Sequence, residues 1–218
     1  MKKNIIISVD VGFTGGITVF DGKNLPIIYR TPVKQVKKSG KKNKNGKNTK
    51  NAYDIEILLE ILKPYNSKKV IFGVERQSSR PQEGSVSSFT SGTNFGLLLG
   101  IGYGLGFDVK IIQPQTWKKY FPEIISKEAE ILRAQKKKIL DKAKNIKDID
   151  EKKEYKKENE KEINKLTRLI KADAKTQARL ICQKKYPELK QEFIKVKDDG
   201  VADATLIGVF MENNLNRI

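Results

Sequence analysis

The chain has 218 residues, enough for one substantial hydrophobic core, and its 44 lysines and arginines against 26 aspartates and glutamates give a formal net charge of +18. This excess favours nucleic acid as a partner, and an anionic membrane surface is the weaker alternative because no segment approaches the roughly 18 apolar residues of a spanning helix. The chain has no histidine and a single cysteine, Cys182, which excludes histidine triads, intramolecular disulfides and thiolate zinc clusters.

Three strands in an antiparallel meander are predicted at the start of the chain. NIIISVDV is typical of a buried strand with Asp10 near its end, and GGITVF and LPIIYRT follow as two strands separated by a turn at Asp21 and Gly22. Residues 34–50 hold eight lysines and no acid, together with several glycines and asparagines. This composition predicts a mobile basic loop.

Helices and strands then alternate. AYDIEILLEILKPY predicts a helix that ends at Pro64, and KKVIFGVE predicts a buried strand that ends in Glu75. The glycine-rich segment FTSGTNFGLLLGIGYGLGF predicts a helix packed closely on a sheet, and DVKIIQP predicts a fifth strand.

A change of composition marks residues 124–168, which are dominated by lysine and glutamate with few apolar positions. We expect two charged helices, forming a hairpin inserted into a single domain that spans residues 1–218. A solvated projection and a DNA-contacting arm are both open interpretations of this hairpin. KADAKTQARLICQKKYPEL then predicts an amphipathic helix, and DDGVADATLIGVFMENNL predicts a final helix with Asp199 near its start.

The order of elements matches an α/β, RNase H-like arrangement, which is a five-stranded mixed sheet flanked by helices. This arrangement could bring four carboxylates together. In that fold the first and fourth strands are neighbours, so Asp10 and Glu75 would lie at adjacent strand ends. Asp199 and Asp203 are four residues apart, share one helical face and can approach the same place. Each acid alone could equally be a turn or helix-start residue. Together they favour a site with two Mg²⁺ or Mn²⁺ ions that clamps a phosphodiester.

Several segments carry a resemblance to a known family, the RuvC-type Holliday junction resolvases, in particular their divergent phage and organellar branches. SVDVGFTGGITVF resembles the first acidic motif, VIFGVERQSSRPQEGSVSSFTSGTNFGLLLGI the second, and DDGVADATLIG the last. QPQTWKKYF and DAKTQA are similar to two lysine-containing segments, which aligns Lys118 and Lys175 with the family's lysines. The similar regions are residues 4–123 and 170–213, so the charged hairpin is extra.

The resemblance implies a crossover junction endodeoxyribonuclease of DNA recombination and repair. Such an enzyme is a homodimer that resolves four-way DNA junctions by paired nicks, needs divalent metal and uses no nucleotide cofactor. The acids Asp10, Glu75, Asp199 and Asp203 would be its metal ligands, although the spacing leaves Asp198 as an alternative to Asp199. We expect no membrane association and a cytoplasmic location, in a bacterial cell or a phage-infected host.

DNA contacts are predicted around the second motif and in the basic loop. Arg76 and Arg80 flank Glu75 and could bind phosphates, and Phe89 could stack on unpaired bases or be a core residue, whereas Phe95 is favoured as core. The predicted contact set is completed by the loop residues Gln77 and Ser78 and the lysines Lys37, Lys38, Lys41 and Lys42.

The remaining polar and apolar candidates have open or structural roles. Lys118 and Lys175 could stabilise the scissile phosphate or be ordinary solvated lysines. We expect Trp117 to lie in the core and Cys182 to be a buried small hydrophobe.

Three rival functions remain open. DVGFTGGITVFDG looks like the phosphate-binding hairpin of actin-like small-molecule kinases, although such kinases need a duplicated domain and a second phosphate motif. A non-catalytic branched-DNA-binding protein of the same fold is the second rival, and a ribonuclease H acting on RNA–DNA hybrids is the third. Comparing cleavage of a four-way junction and of a hybrid distinguishes a resolvase from a ribonuclease H. A nucleotide-dependent thermal shift would favour the kinase, and junction binding without cleavage would favour the non-catalytic protein.

Overall fold

Two sheets are present in the computed structural model, which describes residues 4–37, 48–66, 69–79 and 84–217. The larger is a five-stranded mixed sheet in the order β3-β2-β1-β6-β7, and the smaller pairs β4 with β5. In this described part the strands are β1 (Ile5–Asp10), β2 (Gly16–Phe20), β3 (Ile27–Arg30), β4 (Val33–Lys37), β5 (Thr49–Tyr53), β6 (Val70–Glu75) and β7 (Asp108–Ile112).

Helices flank the large sheet on both faces. They are α1 (Ile55–Leu62), α2 (Ser85–Gly104), α3 (Pro114–Lys119), α4 (Lys127–Asn145), α5 (Ile149–Glu158), α6 (Glu160–Lys185) and α7 (Asp199–Asn213). The predicted α/β class with a five-stranded mixed sheet is therefore confirmed. None of the helices in the described ranges combines the length and the apolar character needed to cross a membrane.

The position of β1 sets the edge at which two acidic strand ends meet. β1 pairs antiparallel with β2 and parallel with β6, with Val9 opposite Val74. Because neighbouring parallel strands end at the same edge of the sheet, Asp10 and Glu75 lie side by side at the ends of β1 and β6, as the sequence predicts. This is the neighbour relationship that the RNase H-like expectation requires.

Alternating residues of the sheet feed two hydrophobic clusters, one on each face. Ile7, Val9 and Phe72 belong to one cluster, where Leu58 of α1 and Leu98 of α2 are also buried. Ile6 and Ile71 point into the other cluster, which contains most of the apolar side chains of α7 together with Trp117. This explains why α7 is apolar around most of its circumference: it is buried between the sheet and α6.

Buried hydroxyl groups fix α7 against the sheet. Ser8 Oγ donates a hydrogen bond to the carbonyl oxygen of Ala204 at 2.7 Å. The hydroxyls of Thr18 and Thr205 lie 3.1 Å apart and are hydrogen-bonded to each other. These contacts set the position of α7 along β1 and β2, and hence the position of the acids at its start.

The prediction of a loop over residues 34–50 is wrong at both ends of that range, where the structure has strands. β4 and β5 form an antiparallel hairpin there, with Val33 opposite Tyr53 and Val36 opposite Lys50, and residues 38–47 lie outside the described residues. Lysines outnumber the apolar positions in this segment and hide its alternating pattern. The hairpin is anchored by Tyr53, which is buried and which the sequence had suggested as part of the following helix.

The inserted segment also differs from the predicted two-helix hairpin. Residues 124–168 contain α4, the short α5 and the first part of α6, which continues as one helix to Lys185. α5 begins where the Asp148 carboxylate accepts the backbone N–H groups of Asp150 and Glu151, at 3.0 and 2.8 Å. The second helix of the predicted hairpin and the amphipathic helix predicted after it are therefore one continuous helix, α6.

Candidate functional site

Asp10 and Glu75 lie close enough at the sheet edge for their carboxyl groups to interact. Burial raises the pKa of Asp10 well above its ordinary value, and the negative charges of Asp203 and Glu75 raise it further. Two interacting acids at a largely buried edge are stable together only if a proton or a cation offsets their repulsion.

The acids of α7 reach this edge because glycine backbones allow a very close approach. Gly15 and Gly200 form an isolated parallel bridge between the β1–β2 turn and the start of α7. A Cβ atom at Gly200 would lie 2.1 Å from the carbonyl oxygen of Thr14, and one at Gly16 would lie 2.6 Å from the Cα of Val201. Side chains at either position would therefore push α7 away from Asp10.

Asp203 interacts through its charge with both strand-end acids. Burial raises its pKa to about 7. The Lys118 ammonium opposes the rise, whereas Glu75 and Asp199 add to it. The carboxylates predicted to converge from three separate segments therefore interact electrostatically in the folded chain.

Asp199 is held by two cations of α6. Lys175 Nζ lies 3.2 Å from Asp199 Oδ2, and the guanidinium of Arg179 bonds Asp199 Oδ1. Arg179 Nη2 also donates to Thr176 Oγ1 at 3.3 Å. Arg179 was missed at the sequence level, although its position one helical turn after Lys175 is the signal that could have identified it.

Asp198 occupies a different environment from Asp199. Its side chain is fully buried and accepts hydrogen bonds from Arg30 Nη2 at 2.7 Å and from the backbone N–H of Lys195 at 2.8 Å. Burial opposes ionisation, but the Arg30 and Lys195 bonds outweigh it and lower the pKa of Asp198. Asp198 thus joins α7 to β3, while Asp199 lines the cleft described below.

Glu75 has a second partner in Trp117, whose Nε1–H donates to Glu75 Oε1 at 2.8 Å. Trp117 is fully buried, as expected of a core residue, and its indole N–H also orients the acid. Lys118 Nζ lies 4.9 Å from the centre of the Trp117 ring, so α3 places a hydrogen-bond donor and a cation beside the acids.

A cleft of about 400 Å³ opens in front of these groups. It has mixed charge, with carboxylates and ammonium groups on its walls. Its lining comprises Asp10, Thr14, Lys175, Val196, Lys197, Asp199, Gly200 and Asp203.

The donor chemistry fits a hard divalent cation, since the acids offer only oxygen ligands, and burial together with neighbouring acids raises the pKa of Asp10 and of Asp203. Within the described ranges, no three acidic or cysteine side chains already have the spacing of a complete metal site. Lysine and arginine instead neutralise part of the negative charge, most directly at Asp199. The four-ligand set remains a prediction.

The predicted DNA-contact residues are distributed around the site. Arg76 and Ser78 are exposed beside Glu75, whereas Gln77 is tied down: its Nε2 donates to the Glu75 carbonyl oxygen at 3.4 Å, and its Oε1 accepts from Ser91 at 3.3 Å. Phe89 is 77% exposed on α2 and is not a core residue. Four further predicted contacts, Lys38, Lys41, Lys42 and Arg80, lie outside the described residues.

The remaining candidates differ in their relation to the site. Lys37 is exposed at the end of β4. The hairpin that carries it is rooted next to the acids, because Tyr53 Oη accepts the backbone N–H of Gly12 at 2.9 Å. Phe95 packs against the core cluster, as expected, and Cys182 is buried.

Comparisons with known proteins do not assign the chain to a family. No protein-family model matches the chain, and no curated protein matches it either. Among solved structures it is similar to RuvC of Thermus thermophilus, with a TM-score of 0.32 and 17% identity over 60% of this chain and 78% of that chain. A likeness at this level supports no inference about activity, so the case for any activity depends on the side chains of the site.

Proposed function

We propose that the protein is a metal-dependent endonuclease that resolves four-way DNA junctions by paired nicks. The observation that carries the proposal is the electrostatic coupling of Asp10, Glu75 and Asp203 at one sheet edge, with Asp199 in the same cleft. A chain with a net charge of +18 has little reason to bury interacting acids together unless they bind a cation.

Asp10, Glu75, Asp199 and Asp203 would hold Mg²⁺ or Mn²⁺, two ions in each site. Bound ions of this kind neutralise charge on a reacting phosphodiester and lower the pKa of water. The protein's own contribution is to fix the oxygen donors: β1 and β6 supply rigid backbone positions, and the Trp117 N–H fixes the orientation of Glu75.

Cations beside the acids would hold the substrate. Lys118 and Lys175 border the carboxylate cluster from α3 and α6, where each can bind a non-bridging oxygen of the scissile phosphate. Exposed Arg76 and Ser78 lie directly after Glu75, next to the face from which DNA would enter. Phe89 offers an aromatic face for stacking on an unpaired base at the branch point.

Resolution of a junction requires cuts in two opposed strands. One chain contributes one carboxylate cluster, so the proposal includes a homodimer with two active sites. The proposed activity requires neither a nucleotide cofactor nor association with a membrane.

The test compares wild-type protein with Asp10→Asn, Glu75→Gln and Asp203→Asn on a four-way junction in Mg²⁺. We expect each variant to lose cleavage while keeping junction affinity within a few-fold, because affinity comes from lysines and arginines. Asp108→Asn is the matched control, since this exposed acid at the start of β7 belongs to the opposite edge of the sheet. Full activity in any of the three site variants would remove that residue from the site.

Substrate and metal controls separate the rival functions. Preferential cutting of an RNA–DNA hybrid would indicate a ribonuclease H, a thermal shift specific to nucleotide would indicate a kinase, and tight junction binding without cleavage would indicate a non-catalytic binder. We expect activity with Mg²⁺ or Mn²⁺, inhibition by Ca²⁺ because of its looser coordination geometry, and none in EDTA. Cleavage in EDTA would contradict the metal mechanism.

A further inference from the structure

One face of α6 carries a row of cations. Lys161, Lys165, Arg168, Lys175 and Arg179 follow one another at spacings of four, three, seven and four residues. At about 100° of rotation per residue, all five side chains fall within an arc of about 80° on the helix surface. We call this row the α6 cationic stripe.

The stripe is free of negative charge and nearly free of apolar side chains. The position between Arg168 and Lys175 that falls in the same arc is Ala172, and the neutral Asn164 and Thr176 lie at its margins. The acid of this part of α6, Asp173, is turned away and accepts the backbone N–H of Ser126 at the start of α4, at 3.2 Å. A stripe without large apolar residues does not suit insertion into a lipid surface.

The two ends of the stripe have different partners. Lys175 and Arg179 are bound to Asp199 at the cleft. Lys161, Lys165 and Arg168 are exposed, form no ion pair within the described part of the chain, and line a shallow depression of about 350 Å³ together with Asn164. One helix therefore connects the candidate active site to three uncompensated cations on the inserted segment.

We propose that the α6 cationic stripe binds the sugar–phosphate backbone of a duplex DNA arm and leads it to the cleft. The proposal rests on the nuclease function above and identifies what the inserted segment contributes to it. From Lys161 to Lys175 the helix rises about 21 Å, which corresponds to about six base pairs of duplex. The insertion is then a DNA-contacting arm and not a solvated projection.

The test neutralises the free end of the stripe by the triple substitution Lys161→Gln, Lys165→Gln and Arg168→Gln. Junction binding is measured by fluorescence anisotropy across a salt series in Ca²⁺, using the full chain. Each phosphate contact contributes about 0.9 to the slope of log K against log salt. We therefore expect the triple variant to lose about two to three units of slope.

The matched control removes three charges elsewhere on the surface. Lys184 and Lys185 lie on other sides of α6, Lys190 follows them, and all three are exposed. Their joint replacement by glutamine should change the slope by less than about one unit. An equal loss of salt slope in the two triple variants would overturn the proposal, because the effect would then depend only on the number of positive charges on the surface.

A hydroxyl-radical footprint provides the second readout. Wild-type protein and the control should protect about six nucleotides that extend outward from the cleavage position, and the stripe variant should not protect them. An identical footprint in the stripe variant would overturn the proposal even if the slope fell. If wild-type protein neither binds nor cuts junctions, the proposed nuclease function is wrong. If wild-type protein cuts junctions but the stripe variant keeps the wild-type salt slope and footprint, only the proposal for the α6 cationic stripe is wrong.

Discussion

Substituting Gly200 tests whether close backbone contact between α7 and the β1–β2 turn assembles the site. A Cβ atom on Gly200 would lie 2.1 Å from the Thr14 carbonyl oxygen and 2.5 Å from the Cα of Gly15. Both are main-chain atoms, so rotation of a side chain cannot relieve the contact. In Gly200→Ala, either α7 or the turn has to move.

Two opposing effects set the size of the change in stability. Alanine is favoured over glycine in a helix interior by about 1 kcal/mol, and by less in the first turn, where Gly200 lies. Overpacking costs about 1–3 kcal/mol, and contact with backbone favours the upper part of this range. The free energy of unfolding of Gly200→Ala should therefore fall by about 2 kcal/mol.

The control is a glycine in an open position. Gly100 lies within α2, and a Cβ atom there would meet nothing within 4 Å. Gly100→Ala should raise the free energy of unfolding by about 0.5–1 kcal/mol, so the same substitution has opposite signs in the two helices. Urea denaturation measures both variants.

Activity gives an independent readout, because Asp199 and Asp203 move with α7. A displacement of about 1 Å at the reacting groups can cost about 100-fold in rate, so cleavage by folded Gly200→Ala should fall by at least about ten-fold. Unchanged or increased stability in Gly200→Ala would refute the reasoning. So would full cleavage activity in a destabilised variant, because the approach of α7 would then not position the acids.

Two further predictions concern single hydrogen-bonded groups. Trp117→Phe removes the N–H donor to Glu75 and should raise the Mg²⁺ concentration for half-maximal cleavage by about 10-fold or more. Phe193→Leu alters another fully buried aromatic side chain of the same core cluster, one without an N–H donor, and should not raise it. An equal Mg²⁺ requirement in both variants would assign Trp117 to packing alone. In the β2–β3 turn, backbone N–H groups of Asn24 and Lys23 lower the pKa of Asp21 to about 2. Its contribution to stability should therefore be complete above about pH 4 and disappear as the pH falls through 2, and an NMR titration midpoint near 4 would contradict this hydrogen-bonded turn.

The sheet and its acidic edge could be predicted from the sequence because their signals are local. NIIISVDV and KKVIFGVE are short apolar runs that end in an acid, and the order of elements places their strands side by side. Asp199 and Asp203 share a helical face at a spacing of four, which holds for any straight helix. The elements themselves need only periodicity and chain order, whereas the adjacency of the two acidic strands is what the RNase H-like arrangement implies.

Contacts between distant segments could not be read in this way. The Trp117 bond to Glu75 joins residues 42 positions apart, and the Arg179 bond to Asp199 joins residues 20 apart. A buried tryptophan has the same sequence signature with or without an acid beside its N–H. The β4–β5 hairpin was missed for a different reason: its strands are rich in lysine, and pairing with Tyr53 stabilises a segment whose composition favours a loop.

The distribution of charge across the cleft would let a cluster of acids serve the polyanionic substrate of the proposed nuclease. Burial raises the pKa of both Asp10 and Asp203, and the negative charge of Asp203 raises the pKa of Asp10 further. Lys175, with more than half of its side-chain surface exposed, and Lys197 lie on the walls. An approaching phosphate would therefore meet ammonium groups before carboxylates. Lys175 also belongs to the cleft end of the α6 cationic stripe, so a backbone held along that stripe would arrive at the acids with its charge already compensated. Only the final step, contact with the acids themselves, would then require a divalent cation.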